Sequence, residues 1–187
     1  MTEQELLFAL RNGEEPAFKE LVTRFQDKVF NTALGLLQHH NDAEEIAQEV
    51  FIQVHRSINQ FKGDSLLSTW IYRITVTKSL DLLRSRKRKK RFGLISGLFG
   101  DDNKPVHEPG EFDHPGVQQE RKEDVAILFK MIGQLPENQR TAFILNKVEE
   151  LSYREIAAIL KLSEPAVDSL LQRAKQNLRK KLKDLPP

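Results

Sequence analysis

Residues 151–167 read Leu151-Ser152-Tyr153-Arg154-Glu155-Ile156-Ala157-Ala158-Ile159-Leu160-Lys161-Leu162-Ser163-Glu164-Pro165-Ala166-Val167, and two helix starts fall within them. Ser152 followed by Glu155 forms a capping box, in which hydroxyl and carboxylate each satisfy a backbone N–H that the first turn leaves open. Ile156, Ala157 and Leu160 then recur on one buried face. After Lys161-Leu162-Ser163 the next helix opens, with Ser163 as its N-cap and Pro165 in its first turn. Two helices joined by so short a turn form a helix-turn-helix. In the second helix Val167, Leu171, Ala174, Leu178 and Leu182 face inward. Asp168, Ser169, Gln172, Arg173 and Gln176 are left outside, on the face such a motif lays in the major groove of DNA.

Working back toward the N-terminus, Ala142, Phe143, Leu145 and Val148 make one helical stripe, and Val125, Leu128, Phe129 and Ile132 make a shorter one that ends at Pro136. Strand-like alternation is absent. Between Phe92 and Gln119, glycines and prolines from Gly93 to Gly116 crowd together with Asp101, Asp102, Glu108, Glu111 and Asp113. That composition reads as an acidic, flexible linker. Before it, Phe18, Leu21, Val22, Phe25, Val29, Ala33, Leu34 and Leu37 line a long helix with Pro16 in its first turn. Asn41 and Asp42 offer caps for a second helix, whose stripe is Ala43, Ile46, Ala47, Val50, Phe51, Val54 and Ile58. Gly63 breaks the pattern, and Trp70, Ile71, Ile74, Leu80, Leu82 and Leu83 resume it as far as the run Arg84–Arg91, in which seven of eight residues are cationic. The expected fold class is therefore all-α: a first helical domain over 1–92, a linker over 93–122, and a helix-turn-helix domain over 123–187.

The 187 residues suffice for two small domains, and the chain carries no cysteine, which excludes disulfide frameworks, thiolate metal sites and cysteine nucleophiles. A reducing compartment fits, no apolar run approaches the ~20 residues of a bilayer span, and no secretory pattern opens the chain. A cytoplasmic protein without membrane insertion is expected. The net charge of +2 hides an alternation: residues 1–60 carry 5 basic and 10 acidic side chains, residues 61–91 carry 10 and 2, and residues 161–187 carry 7 and 3. Two basic segments about 90 residues apart suit a polyanion contacted at two places.

With these residues in view, the chain resembles the extracytoplasmic-function group of the sigma-70 factors of bacterial RNA polymerase. Asp42-Ala43-Glu44-Glu45-Ile46-Ala47-Gln48-Glu49-Val50-Phe51 is similar to the family's polymerase-binding helix. Phe61-Lys62-Gly63-Asp64-Ser65 with Thr69-Trp70-Ile71-Tyr72-Arg73-Ile74 is similar to its promoter-melting segment. Leu135–Arg140, Leu151–Ala157 and Ser169–Lys175 resemble its second domain. The resemblance implies that Asp42, Glu45, Gln48 and Glu49 meet the clamp helices of the largest catalytic subunit of core RNA polymerase. It implies that Phe61, Lys62, Arg73, Thr77, Lys78, Arg84 and Arg86 capture the opened minus 10 element, and that Ser169, Gln172, Arg173, Lys175, Arg179 and Lys180 read the minus 35 element of promoter DNA. An anti-sigma factor is the further partner implied.

Stacking of unpaired bases on aromatic rings beside cations supports the melting role, with Phe61 expected as the platform and Trp70 as core. Four positions depart from the family pattern. Asp168 and Leu170 stand where cations are usual, and Thr77 stands where an asparagine often helps hold a flipped base. Lys161 stands where a glycine commonly closes the helix, so a left-handed residue is expected there.

An enzyme reading would have to use His39, His40, Asp42, Glu44, Glu45, Glu49 and His55. The Glu-x-x-His spacing of carboxylate-bridged metal pairs is missing from these helices. No catalytic residue, metal ligand or cofactor is expected. A two-domain helix-turn-helix regulator with an N-terminal sensor or dimerisation bundle accounts equally for the second half, but leaves the aromatic loop and the cationic run without a use.

Overall fold

In the computed structural model the backbone is described for residues 1–96 and 119–183, and the side chains for residues 1–92 and 126–183. Among these the chain forms eight α-helices and one 3₁₀ turn, with no strand. Thr2 caps α1 (Glu3–Arg11) through a capping box with Glu5. α2 (Glu15–Leu37) carries Pro16 in its first turn and closes at Gln38, which adopts φ 57. α3 (His40–Ser57) is capped by the His39 side chain, which accepts from the Asp42 N–H, so neither Asn41 nor Asp42 is the N-cap that the sequence suggests.

The 3₁₀ turn Ile58–Gln60 and the loop after it lead into α4 (Leu67–Ser96), and the second half consists of α5 (Gln119–Gly133), α6 (Glu137–Lys147), α7 (Tyr153–Leu160) and α8 (Glu164–Lys183). Helix enters the expected linker, 93–122, at both ends, because the strong helix formers of the cationic run carry α4 past Gly93 at a cost of about 1 kcal/mol. The rest of that segment lies outside the described residues.

The helix-turn-helix forms as its residues specify. Ser152 and Glu155 close their capping box, the Ala166 N–H donates to Ser163 Oγ at 3.3 Å, and Lys161 ends α7 at φ 56, ψ 46. A side chain in that left-handed region is strained where glycine is not. Replacing Lys161 with glycine is accordingly expected to stabilise the protein by about 1 kcal/mol, read as a melting temperature about 2–4 °C higher.

One core of the first half is built from Leu6, Leu21, Val29, Val50, Val54, Leu67 and Ile71. A second does not respect the division of the sequence. Leu36 of α2 and Tyr72, Val76 and Leu80 of α4 cluster with Leu145, Ile156, Ile159, Val167 and Leu171 of the second half. For this reason α2 is buried all round over residues 32–37 rather than along one stripe. Leu128 and Leu182, expected inside, are 40% and 50% exposed, and Met131, Leu135 and Ile144 fill the third cluster with Ile132, Ala174 and Leu178.

Polar groups close the junction between the halves. The buried Arg140 donates through Nη1 to the Leu36 carbonyl at 2.8 Å, and Gln38 donates to the Phe129 carbonyl. Gly35 lies against Ile144 so closely that a Cβ there would sit 2.8 Å from Cδ1 and 2.9 Å from Cγ2. Tyr72 donates its hydroxyl to Glu149 at 2.7 Å.

Burial pushes the Glu149 carboxyl above its ordinary range, against the opposing pull of the Tyr72 hydroxyl and the Lys28 ammonium. Because the value is raised in the folded state, what Glu149 adds to the packing is complete below the ordinary carboxylate range and is lost as pH rises through the raised value. Glu149→Gln stays neutral and can still accept from Tyr72. It is expected to tighten the junction at neutral pH and to flatten the dependence of melting temperature between about pH 5 and 7.5, as thermal denaturation at both values would read. Glu137, held low by Lys87 and Arg84, has the opposite sign: its contribution is present at neutral pH and is lost on acidification.

Candidate nucleic-acid interface

α8 presents Ser169, Gln172, Arg173, Lys175, Arg179 and Lys180 to solvent, while Val167, Leu171, Ala174 and Leu178 anchor its other side. The six share one side because the helix repeat brings residues three and four apart together. Two are already oriented. Ser169 Oγ donates to the Pro165 carbonyl at 2.9 Å, and Gln172 Nε2 donates to Asp168 Oδ2 at 2.8 Å. Asp168, which interrupts the expected cationic pattern, thus holds the amide of Gln172. Arg173, Lys175, Arg179 and Lys180 make this side strongly electropositive, as phosphate contact requires.

The first half is arranged less as expected. Phe61, expected as a stacking platform, is buried at 6% exposure, and its ring centroid lies 5.0 Å from that of Trp70 at an interplanar angle of 32°. Trp70, expected as core, is only half-buried. Their burial departs from that expectation because Phe61 follows the 3₁₀ turn and packs into the core, whereas Trp70 sits in the first turn of α4 at the core's edge. Any platform offered in this arrangement is Trp70. Lys62 is exposed on the loop, and Thr77 is exposed on α4.

The α4 cations from Arg73 to Lys87 are engaged with the protein itself. Arg73 donates to the Ala158 carbonyl of α7 from Nε at 3.1 Å and from Nη2 at 2.6 Å. Lys78 pairs with Glu49 at 2.8 Å, and Arg86 binds both oxygens of Asp42, one at 2.7 Å. The Asp42 pairing raises the Arg86 guanidinium further above its ordinary value. Arg84 and Lys87 share Glu137 of α6, at 3.3 and 2.8 Å. Arg88, Lys89, Lys90 and Arg91 are exposed.

Of the four α3 residues expected to meet a protein partner, Glu45, Gln48 and Glu49 are exposed. Asp42 is not: its side chain is 9% exposed and committed to Arg86, because a carboxylate at a helix start beside a guanidinium gains more from that bidentate pair than from solvent. Acids of α3 expected to face one partner and bases of α4 expected to face another therefore neutralise each other. Such pairing across 29 and 44 residues leaves no trace in local sequence patterns. Among the described residues no group of three or more His, Asp or Glu is placed to hold a metal ion, and no helix is long and apolar enough to cross a membrane.

Comparison with known proteins bears on both faces. The family model for Sigma-70 region 2 matches residues 21–89, and that for Sigma-70, region 4 matches residues 126–178. The chain is similar to the ECF RNA polymerase sigma-E factor of Haemophilus influenzae, 32% identical over 188 residues covering 99% of this chain and 97% of that one. It is also similar to the RNA polymerase sigma-H factor of Pseudomonas aeruginosa, 30% identical over 183 residues covering 98% and 95%. Among solved structures it resembles CnrH in complex with the cytosolic domain of CnrY, with a TM-score of 0.72 at 21% identity over 98% of this chain and 99% of that one. It likewise resembles the sigma factor RpoE in complex with the anti-sigma factor NepR from Bartonella quintana, with a TM-score of 0.64 at 23% identity over 89% and 96%.

Proposed function

The chain belongs to the sigma-70 family, as an RNA polymerase sigma factor of the extracytoplasmic-function type that acts in transcription initiation, and from that premise we propose how its parts divide the work. Residues 1–92 bind core polymerase and capture the opened minus 10 element. Residues 123–187 read the minus 35 element, and residues 93–122 tether the two. Glu45, Gln48 and Glu49 on α3 meet the clamp helices of the largest catalytic subunit. On α8, Arg173 and Gln172 address base edges, while Lys175, Arg179 and Lys180 hold phosphates. Lys62, Thr77 and the exposed cations at the end of α4 receive the separated strand, with Trp70 rather than Phe61 as the aromatic surface. The protein contributes specificity and strand capture, and no bond-breaking chemistry of its own. It works in the cytoplasm with the polymerase.

The observation that carries this reading is the coexistence, on one chain, of a helix-turn-helix with an exposed cationic face and a loop–helix unit that ends in exposed cations. A regulator binding through its helix-turn-helix alone has no need of the second. Arg73, spent on the Ala158 carbonyl, has to leave α7 before it can meet DNA, so the packed arrangement is the idle one. CnrH and RpoE were solved with a bound partner, and by that likeness an anti-sigma factor holds this chain idle.

Transcription from a cognate promoter, reconstituted with core polymerase and the purified chain, tests the reading. Promoter-specific starts that appear only with the chain present are the expected result. A core enzyme that stays unable to start, while the chain still binds DNA, would leave the regulator reading standing.

A further inference from the structure

α1 lies outside both matched segments, yet it is bonded to both ends of the loop that precedes α4. Arg11 Nη2 donates to the Phe61 carbonyl at 2.6 Å, where the 3₁₀ turn ends. Glu3 Oε1 accepts from the Leu67 N–H at 3.0 Å, at the first residue of α4. Both bonds are partly buried. Between these anchors lie residues 62–66, in which Lys62, Gly63, Asp64 and Leu66 are exposed and Gly63 adopts φ 79. Left to itself, a segment of this length can vary its span up to about 20 Å.

Glu3 and Arg11 are eight positions apart on one helix, about 12 Å along its axis. That helix is itself held. Leu6 is fully buried, Ala9 and Leu10 nearly so, its first turn carries a capping box, and Arg24 of α2 donates to the Met1 carbonyl at 3.1 Å. A rigid rod with one hydrogen bond at each end of a loop fixes the distance between those ends. The Glu3 carboxylate also meets the positive end of the α4 dipole, which favours an anion there.

We propose that α1 is a brace for strand capture: Glu3 and Arg11 are positioning residues that hold the 61–67 loop and the start of α4 at one spacing, and so set which bases of the minus 10 element are accepted. This rests on the assignment of that loop to the minus 10 element. A site that discriminates bases has to be held to within a fraction of an ångström, and the loop supplies little of that order itself.

The test uses holoenzyme reconstituted with the full chain carrying Glu3→Ala together with Arg11→Ala, and with Arg11→Lys alone. Three quantities are read: core affinity, the rate of promoter opening followed by permanganate reactivity of exposed thymines, and base preference selected from a randomised minus 10 library. The double variant is expected to open promoters about tenfold more slowly and to show a flattened base preference, with core affinity within about twofold of wild type. Arg11→Lys, which can still donate to the Phe61 carbonyl, should keep most of the preference.

Unchanged opening and preference in the double variant would overturn the brace. So would an opening loss matched by an equal loss of core affinity, which would mark a merely structural role. If the wild-type holoenzyme itself shows no minus 10 preference, it is the assignment of the loop that fails. Far-UV circular dichroism at the assay temperature is expected to match wild type for both variants, and a collapse of helicity in the double variant would assign α1 to folding and overturn the brace.

Discussion

Replacing Gly35 with valine is expected to loosen the packing between the two halves of the protein. A Cβ at this position would meet Ile144 at 2.8, 2.9 and 3.1 Å, against the branch atoms of the side chain as well as its tip. Ile144 is fully buried and cannot swing into solvent, and Gly35 is flanked by Leu36, whose carbonyl is held by Arg140. Overpacking a site of this kind costs about 1–3 kcal/mol, a shift of roughly 5- to 150-fold toward the open arrangement. The first half should not suffer, because valine is the better helix former at an interior position. The packed form should still dominate, so the change is read in rates: crosslinks between α2 and α6 should form more slowly, and association with core polymerase should quicken in proportion to the larger open fraction. Crosslinking and association at the parent's rates would show that Ile144 can yield, and that the junction is looser than its distances imply.

The second large effect concerns DNA. Arg173→Ala removes an exposed side chain whose loss should change folding by no more than about 0.5 kcal/mol. An arginine that reads a base edge is worth about 1–3 kcal/mol, so initiation from a cognate promoter should fall by roughly 5- to 150-fold while core association is unchanged. The loss should also relax preference at one position of the minus 35 element. Lys175→Ala, by contrast, should weaken binding evenly across sequences and reduce its salt dependence. Undiminished initiation by the Arg173 variant on several promoters would remove α8 from the role of reader.

Local patterns in the sequence made the caps and the turn of the helix-turn-helix legible, though not the exposure of Leu182 at its end. Caps, turn length and the left-handed Lys161 are all decided by residues within a few positions of one another, and all stand in the structure as read. The stripes of α2 and α3 were equally plain. What escaped is what depends on distant parts of the chain. Amphipathicity identifies one buried face of a helix, so it could not announce that Gly35 and Leu36 are met from the other side by α6. The burial of Phe61 and the partial exposure of Trp70 turned on where the 3₁₀ turn ends, which apolar character alone does not settle. The pairs Asp42–Arg86 and Glu49–Lys78 engage candidate contact groups of the two expected faces with each other. α1 was missed although its signal is present, in the Thr2-x-x-Glu5 capping box followed by Leu6 and Leu10.

The hydrophobic cluster shared across the junction has a consequence for how the molecule can be handled and where it can afford to be open. Leu36, Tyr72, Val76 and Leu80 share one buried cluster with side chains of the other half, and each is worth roughly 1.5–3 kcal/mol when dry. A protease cut between residues 96 and 119 followed by dilution would leave an oily plate on each fragment, so the severed pieces should stay together or precipitate, and the intact chain should take up heat in a single calorimetric transition. Any unlatched molecule carries the same bare surface until something larger covers it, which confines the extended form to its time aboard a host.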